Sequence, residues 1–244
     1  MNKLQIFKRF AFCFFTRNGG VSKFEFSTLN CAYSKGDKKE NVNENRKIAC
    51  KLFPKKRLIL PNQTHSNKVI KVQEKPKTII HADALISNKK GLLLGILTAD
   101  CAPIVVLGKN YFGIIHAGWK GALNGIIENT ISQFIFEGEK IDDINIFVGP
   151  HLKRDSFEIK EDFVEKICKV KNFHQFIFRS KEKEFFDFSK FIESIIVKLK
   201  VSNYMISEID TFKNPNLFFS HRFHKRNKIK NCGRQITLVG IKNI

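Results

Sequence analysis

The stretch from Thr98 to Gly121 constrains the fold more than any other part of this chain. It opens on Thr98-Ala99-Asp100-Cys101-Ala102-Pro103 and closes on His116-Ala117-Gly118-Trp119-Lys120-Gly121. Between them two short apolar runs, 104–107 and 112–115, flank Gly108-Lys109-Asn110-Tyr111. Two β-rich runs around a two-residue loop read as a hairpin. A loop at Lys109-Asn110 pairs Pro103 with His116. Side chains alternate along a strand, so Cys101, two positions before Pro103, shares a face with His116. A soft sulfur and an imidazole then meet on one sheet edge. That is either two ligands of a metal site or a nucleophile beside a base.

His65, in Gln63-Thr64-His65-Ser66-Asn67, adds a second imidazole at a loop-to-strand junction. Two imidazoles and one thiolate, with a fourth position open, are the donor pattern of a catalytic zinc. An inert alternative stands beside it: a buried cysteine after a turn and a strand-end histidine bonded to a carbonyl. Asp83, in His81-Ala82-Asp83-Ala84-Leu85-Ile86, is placed to orient an imidazole or a substrate hydroxyl, or to serve only as a turn residue. Gly118, Gly121 and Gly125 at the start of the following helix allow either close approach of a ligand or close helix-to-sheet packing.

Around this core, β-rich runs alternate with helical patterns. Strands are expected over 10–15, 68–72, 92–98, 104–107, 112–116, 145–148, 173–178, 204–209 and 235–241. Helices are expected over 37–52, 119–136, 160–168 and 188–199. Strands followed by helices, with one tight hairpin, predict a mixed sheet in an α/β (α+β) architecture. At 244 residues, with 43% hydrophobic content and no Pro/Gly/Ser-rich linker, the chain reads as a single domain over 1–244.

The longest apolar candidate, 91–107, is interrupted by Asp100, so no transmembrane span is expected. The run 10–15 is too short for a signal-peptide core and reads as a strand. Six scattered cysteines without CxxC pairs argue against a disulfide framework. The expected location is the cytoplasm. The net charge of +20 raises a phosphate-rich partner or nucleic acid. Most lysines are dispersed, and no nucleic-acid-binding signature is present, so nucleic acid ranks low. One basic cluster, His221-Arg222-Phe223-His224-Lys225-Arg226, with Lys228, Lys230 and Arg234 beyond it, reads as an anion-holding loop. Arg17, just after a buried strand, is a further candidate anion contact or a solvated arginine.

These segments resemble the YfiH family, also called the peptidoglycan editing factor or laccase-domain family. The resemblance runs in order through Phe15-Thr16-Arg17 and Gly19-Gly20-Val21-Ser22, Gly36-Asp37 with Glu44-Asn45-Arg46, Gln63-Thr64-His65 and Ala82-Asp83-Ala84-Leu85. It continues through Thr98-Ala99-Asp100-Cys101, His116-Ala117-Gly118-Trp119, Gly149-Pro150, Phe218-Phe219-Ser220 and Gly233-Arg234. It implies a layered two-sheet fold with flanking helices, similar to the catalytic domain of cytotoxic necrotizing factor. It also implies a catalytic metal centre at His65, Cys101 and His116, with zinc favoured over copper. The implied activity is phosphorolysis of purine nucleosides by inorganic phosphate, methylthioadenosine included, together with adenosine deamination. Asp83 is then expected in the catalytic group, and Arg46, Arg222 and Arg234 as substrate or phosphate contacts. The competing activities are a cysteine or metal hydrolase of peptidoglycan precursors and a copper-dependent polyphenol oxidase; seven histidines are few for a multicopper centre. Three positions depart from the family pattern: Asp210 before Thr211 in place of cysteine, Phe223 after Arg222 in place of arginine, and Ser156-Phe157-Glu158 where a cysteine is common.

Overall fold

The computed structural model describes residues 2–33, 36–168, 171–180 and 182–242. Among them the strands form three sheets. A five-stranded sheet runs in the order β1 (Gln5–Phe7), β2 (Phe10–Phe14), β14 (Gln235–Ile241), β6 (Leu92–Thr98), β3 (Arg57–Ile59). A six-stranded sheet runs β13 (Asn203–Ile206), β9 (Asn145–Val148), β7 (Ala102–Leu107), β8 (Phe112–Ala117), β5 (Ala84–Ser87), β4 (Val69–Lys71). Parallel and antiparallel pairs occur in both. A small third sheet, not expected from the sequence, joins β10 (Glu158–Ile159), β12 (Lys183–Phe186) and β11 (Ile177–Ser180).

The alternation of buried side chains explains the layering. On β2, Phe10 and Phe12 pack with Leu94, Val105, Phe112 and Ile114 between the two large sheets. The intervening Ala11 and Cys13 face the other way, against Ala49 of helix α1 (Lys39–Cys50) and Phe53. The outer face of the six-stranded sheet, through Ile104, Val106 and Ile115, packs on helices α2 (Trp119–Leu123), α3 (Ile126–Phe136), α4 (Glu161–Ile167) and α5 (Phe188–Lys198). The result is a helix–sheet–sheet–helix stack in which both large sheets are covered on both faces. That is why their strands read as nearly continuous apolar runs.

The predicted hairpin forms with Pro103 opposite His116 and Leu107 opposite Phe112. The Gly108 N–H closes it on the Tyr111 carbonyl at 2.9 Å. Three expectations need correction. The helix foreseen over 119–136 is two helices, broken at Asn124-Gly125, where Gly125 adopts φ +86°; the apolar face continues across the joint and hides it. The strand foreseen over 173–178 begins as a 3-10 turn, Phe173–Phe176, before β11. The basic cluster foreseen as a loop is helix α6 (His221–Arg226), N-capped by Ser220, whose Oγ accepts from the Phe223 N–H at 3.1 Å. Among the described residues no helix is long and apolar enough to cross a membrane.

Candidate metal centre and adjoining cavity

Three separate elements deliver the three predicted ligands. His116 is the penultimate residue of β8, Cys101 immediately precedes β7, and His65 lies in the loop between β3 and β4. That loop is fixed at both ends of its motif. The Gln63 amide exchanges two hydrogen bonds with the Leu97 backbone of β6, at 2.8 and 2.9 Å. The Asp83 carboxylate, fully buried, accepts the backbone N–H groups of Thr64, His65 and Ser66 at 3.1, 3.0 and 2.7 Å, and the Ser66 hydroxyl at 2.7 Å. With its N–H held there, His65 takes φ +59°, a left-handed conformation that an L-residue keeps only when its surroundings demand it.

Asp83 Oδ1 also lies 2.8 Å from His116 Nδ1. An ionised carboxylate only accepts, so Nδ1 carries a proton and Nε2 is the nitrogen left to face Cys101, where a metal ion would take its lone pair in place of a second proton. The ligand atoms of His65, Cys101 and His116 lie within 4.8 Å of one another, and His65 Nε2 is 3.9 Å from Cys101 Sγ. The electrostatics agree with a thiolate. Burial pushes the Cys101 thiol up, but the His116 and His65 imidazoles overrule it and bring it down to about 6. Burial would lower His116, yet the Cys101 sulfur and Asp83 lift it to about 9. Asp83 is itself opposed by burial and held far below the usual carboxylate range by His116 and Ser66.

These residues fit a metal ion. Zinc bonds of about 2.0–2.3 Å in tetrahedral geometry set neighbouring ligand atoms roughly 3.3–3.6 Å apart, so the three ligand atoms, which lie within 4.8 Å of one another, would draw together around an ion. A carboxylate behind the far nitrogen of a ligating imidazole is the usual supporting contact of such sites. Among the described residues this is the one group of three potential ligands close enough to hold an ion.

His65 and Cys101 line a cavity of about 210 Å³, walled by Trp119, Leu152, Phe157 and Phe188, with Asp100, His221 and Arg222 at its polar side. Asp100 adopts φ +83°; its carboxylate accepts from the Thr211 hydroxyl at 2.7 Å and from the Arg222 N–H at 2.6 Å. The N-terminus of α6 is therefore already answered by a carboxylate. The Arg222 guanidinium stands over Phe157, 5.6 Å from its centroid, with Nη1 on the Glu158 carbonyl at 2.8 Å.

The other arginines lie apart from the cavity lining. Arg46 Nε donates to the Cys31 carbonyl at 2.8 Å and the guanidinium stacks over Tyr33 at 4.2 Å. Arg234 Nη1 donates to the carbonyls of Cys232 and Gly233 at 2.7 and 2.9 Å. Arg17 is neither solvated nor open to an anion: its guanidinium serves the carbonyls of Ser27, Pro215 and Glu25. Two of the departures from the family pattern meet, the Ser156 hydroxyl donating to Asp210 at 2.6 Å. Sequence reasoning did not single out Phe157, Phe188 and Leu152, which look like ordinary core residues. His221 belongs to the basic cluster read from the sequence as holding an anion, and it does line the cavity.

Comparison with known proteins places the whole chain in a family. The chain is 31% identical over 242 residues to a purine nucleoside phosphorylase of Staphylococcus saprophyticus, covering 92% of this chain and 89% of that protein. It is 34% identical over 167 residues to the purine nucleoside phosphorylase YfiH of Shigella flexneri, covering 67% of each. A match of 42% identity to a purine nucleoside phosphorylase of Aquifex aeolicus spans 115 residues, 47% of this chain and 55% of that protein. The fold is that of the Bacillus licheniformis hypothetical protein YfiH, with TM-score 0.86 and 25% identity over 96% of this chain and 93% of that one. It is equally that of Neisseria meningitidis protein NMB0706, with TM-score 0.88 and 23% identity over 99% of both chains. Residues 11–242 match the family described as multi-copper polyphenol oxidoreductase laccase. The chain therefore belongs to the multi-copper polyphenol oxidoreductase laccase family, the family of the YfiH proteins.

Proposed function

We propose that this chain is a zinc-dependent purine nucleoside phosphorylase, acting as one catalytic domain in the cytoplasm. The observation that carries the reading is the convergence of His65, Cys101 and His116, the first two lining a cavity with aromatic walls and a polar side that carries Arg222 and His221. The names of the relatives point the same way.

In phosphorolysis the C1′–N9 bond breaks with its electron pair passing to the purine. A phosphate oxygen bonds C1′, and the proton the phosphate gives up ends on the base. The transition state has oxocarbenium character, so orientation and charge placement carry most of the rate. Trp119 and Phe157 offer flat apolar surfaces on which a purine rests. Arg222 and His221 lie on the polar side, where a phosphate or ribose is held. Asp83 touches no substrate; it is a positioning residue that sets the His116 tautomer and ties down the His65 loop. When bound, the ion supplies a positive charge that stabilises negative charge developing on the leaving base. Zinc suits this chemistry better than copper, because no electron transfer is involved. Adenosine deamination and methylthioadenosine phosphorolysis belong to the same proposal, since one aromatic cavity admits each of these purines. Arg46 and Arg234 then act through the surrounding scaffold rather than on the substrate.

A specific observation favours one second reading. A Cys101 thiol brought down to about 6 beside His116 is also the arrangement of a thiol nucleophile, as in a hydrolase. The deciding experiment incubates zinc-loaded protein with adenosine and phosphate and separates the products by chromatography. Ribose 1-phosphate and free base are expected, with activity abolished by chelation and reduced at least about 100-fold in Cys101→Ala. Absence of ribose phosphate, free base and inosine would sink the nucleoside reading. A trapped covalent adduct on Cys101, with activity indifferent to chelators, would select the hydrolase.

A further inference from the structure

The cavity at the ligands is small. Pockets that enclose a whole ligand usually measure about 300–1,000 Å³, and this one measures about 210 Å³. It does not end there. Trp119, Phe157, His221 and Arg222 also wall a second space, a groove of about 750 Å³ running between α6, α4 and the small sheet.

Among the described residues the groove is cationic. Lys160, Lys183, Arg222, Lys225 and Arg226 face it, against the carboxylates of Asp155 and Glu158. Both carboxylates are already engaged: Asp155 with Arg154 and Lys213, Glu158 with Lys183. The exposed ammonium groups of Lys160 and Lys225 have no carboxylate or carbonyl partner among the described residues. Arg226 lies over the Phe212 ring at 5.6 Å, which leaves the edge of its guanidinium free to donate. Unmatched cations around a groove continuous with an aromatic cavity describe a ligand with a flat ring at one end and several negative charges at the other.

We infer that the groove seats a phosphate chain, so that the site takes purine nucleoside 5′-diphosphates in preference to free nucleosides. The base occupies the cavity between Trp119 and Phe157, and the phosphates extend toward Lys160 and Lys225. This deepens the proposed function and rests on it for the identity of the base.

Trp119 is the chain's single tryptophan and lines both spaces, so its fluorescence reads binding without turnover. The test titrates zinc-loaded protein separately with adenosine, with ADP and with inorganic phosphate. ADP is expected to bind at least about tenfold tighter than adenosine, the equivalent of one or two charge-assisted contacts. The preference should collapse in the Lys160→Ala/Lys225→Ala double variant and reverse in Lys225→Glu. All three substitutions are at exposed positions, and a circular dichroism spectrum checks that each variant is folded. Equal affinity for ADP and adenosine overturns the inference. So does a double variant that raises the KM for inorganic phosphate while keeping its preference for ADP, because the groove would then serve only the co-substrate. Lysine-dependent ADP binding without any turnover of adenosine would sink the phosphorylase reading and leave the groove assignment standing.

Discussion

Gly118 shows how tightly single residues are set around the ligands. Its φ of −76° is open to any residue, so its backbone is not the reason for a glycine. The reason is space: a Cβ there would lie 2.6 Å from His65 Cδ2 and 3.3 Å from Cys101 Sγ. Gly118→Ala is expected to push the His65 ring off its position and weaken metal binding roughly 10- to 100-fold, the range for disturbing groups around a metal ligand. Competition against a chromophoric chelator measures this, with a melting temperature within a few degrees of wild type. Unchanged affinity would mean that the ring has room to give. At this scale the sequence was informative about ligand types and poor about their supports. His65, Cys101 and His116 stood out as a donor set. Asp83 was recognisable as a possible partner for an imidazole. Its grip on three successive backbone N–H groups was not, because that depends on how a distant loop approaches the start of β5.

The hairpin of β7 and β8 is the element that sets Cys101 and His116 in register, and it has its own clasp. Glu139, 4% exposed, accepts the backbone N–H groups of Lys109, Asn110 and Tyr111 at 2.7, 2.6 and 2.7 Å. Charge-assisted bonds of this kind are stronger than neutral ones. Glu139→Gln keeps the shape, removes the charge and turns one acceptor into a donor facing an N–H. A loss of about 1–3 kcal/mol is expected in urea denaturation; a loss below about 0.5 kcal/mol would show that the turn closes without help. The hairpin itself was legible because its apolar runs, its two-residue loop and the positions of Cys101 and His116 all agree on one register. The helix break at Gly125 was not, since Leu123, Ile126 and Ile127 keep the apolar spacing through it. Helix α6 was hidden for the opposite reason. His221-Arg222-Phe223-His224-Lys225-Arg226 has almost no apolar periodicity, and its helicity comes from the Ser220 cap and the Asp100 carboxylate at its first turn. Strand β12 was hidden because its first two residues, Lys183 and Glu184, are charged and leave no apolar run to recognise.

For the whole molecule, one buried histidine outside the metal centre ties stability to pH. His151 is fully buried; its Nδ1–H donates to the Gly149 carbonyl at 2.8 Å and its Nε2 faces the Ser189 hydroxyl at 2.9 Å. Burial, reinforced by the nearby Lys153 ammonium, drops it to about 3 in the fold, against about 6.5 in an unfolded chain. Between those values the unfolded state holds the extra proton, so the contribution of His151 to stability is complete above about 6.5 and is lost as pH falls toward 3. The urea midpoint should decline from pH 7 to pH 4, and the decline should be shallower in His151→Gln; identical slopes would remove this residue from the account. The layering of sheets and helices was anticipated, and the chain order of strands within each sheet was not, because side-chain patterns mark faces and leave neighbours unnamed. That order has a consequence for folding. One of the two interior seams of the five-stranded sheet joins Phe10 to Ile241 and Phe14 to Thr237, so β2 gains its inner partner only when two segments far apart along the chain meet. Until then Phe10–Phe14 presents an open, sticky edge, and the slow closure of so distant a pair leaves the unfinished sheet exposed to aggregation.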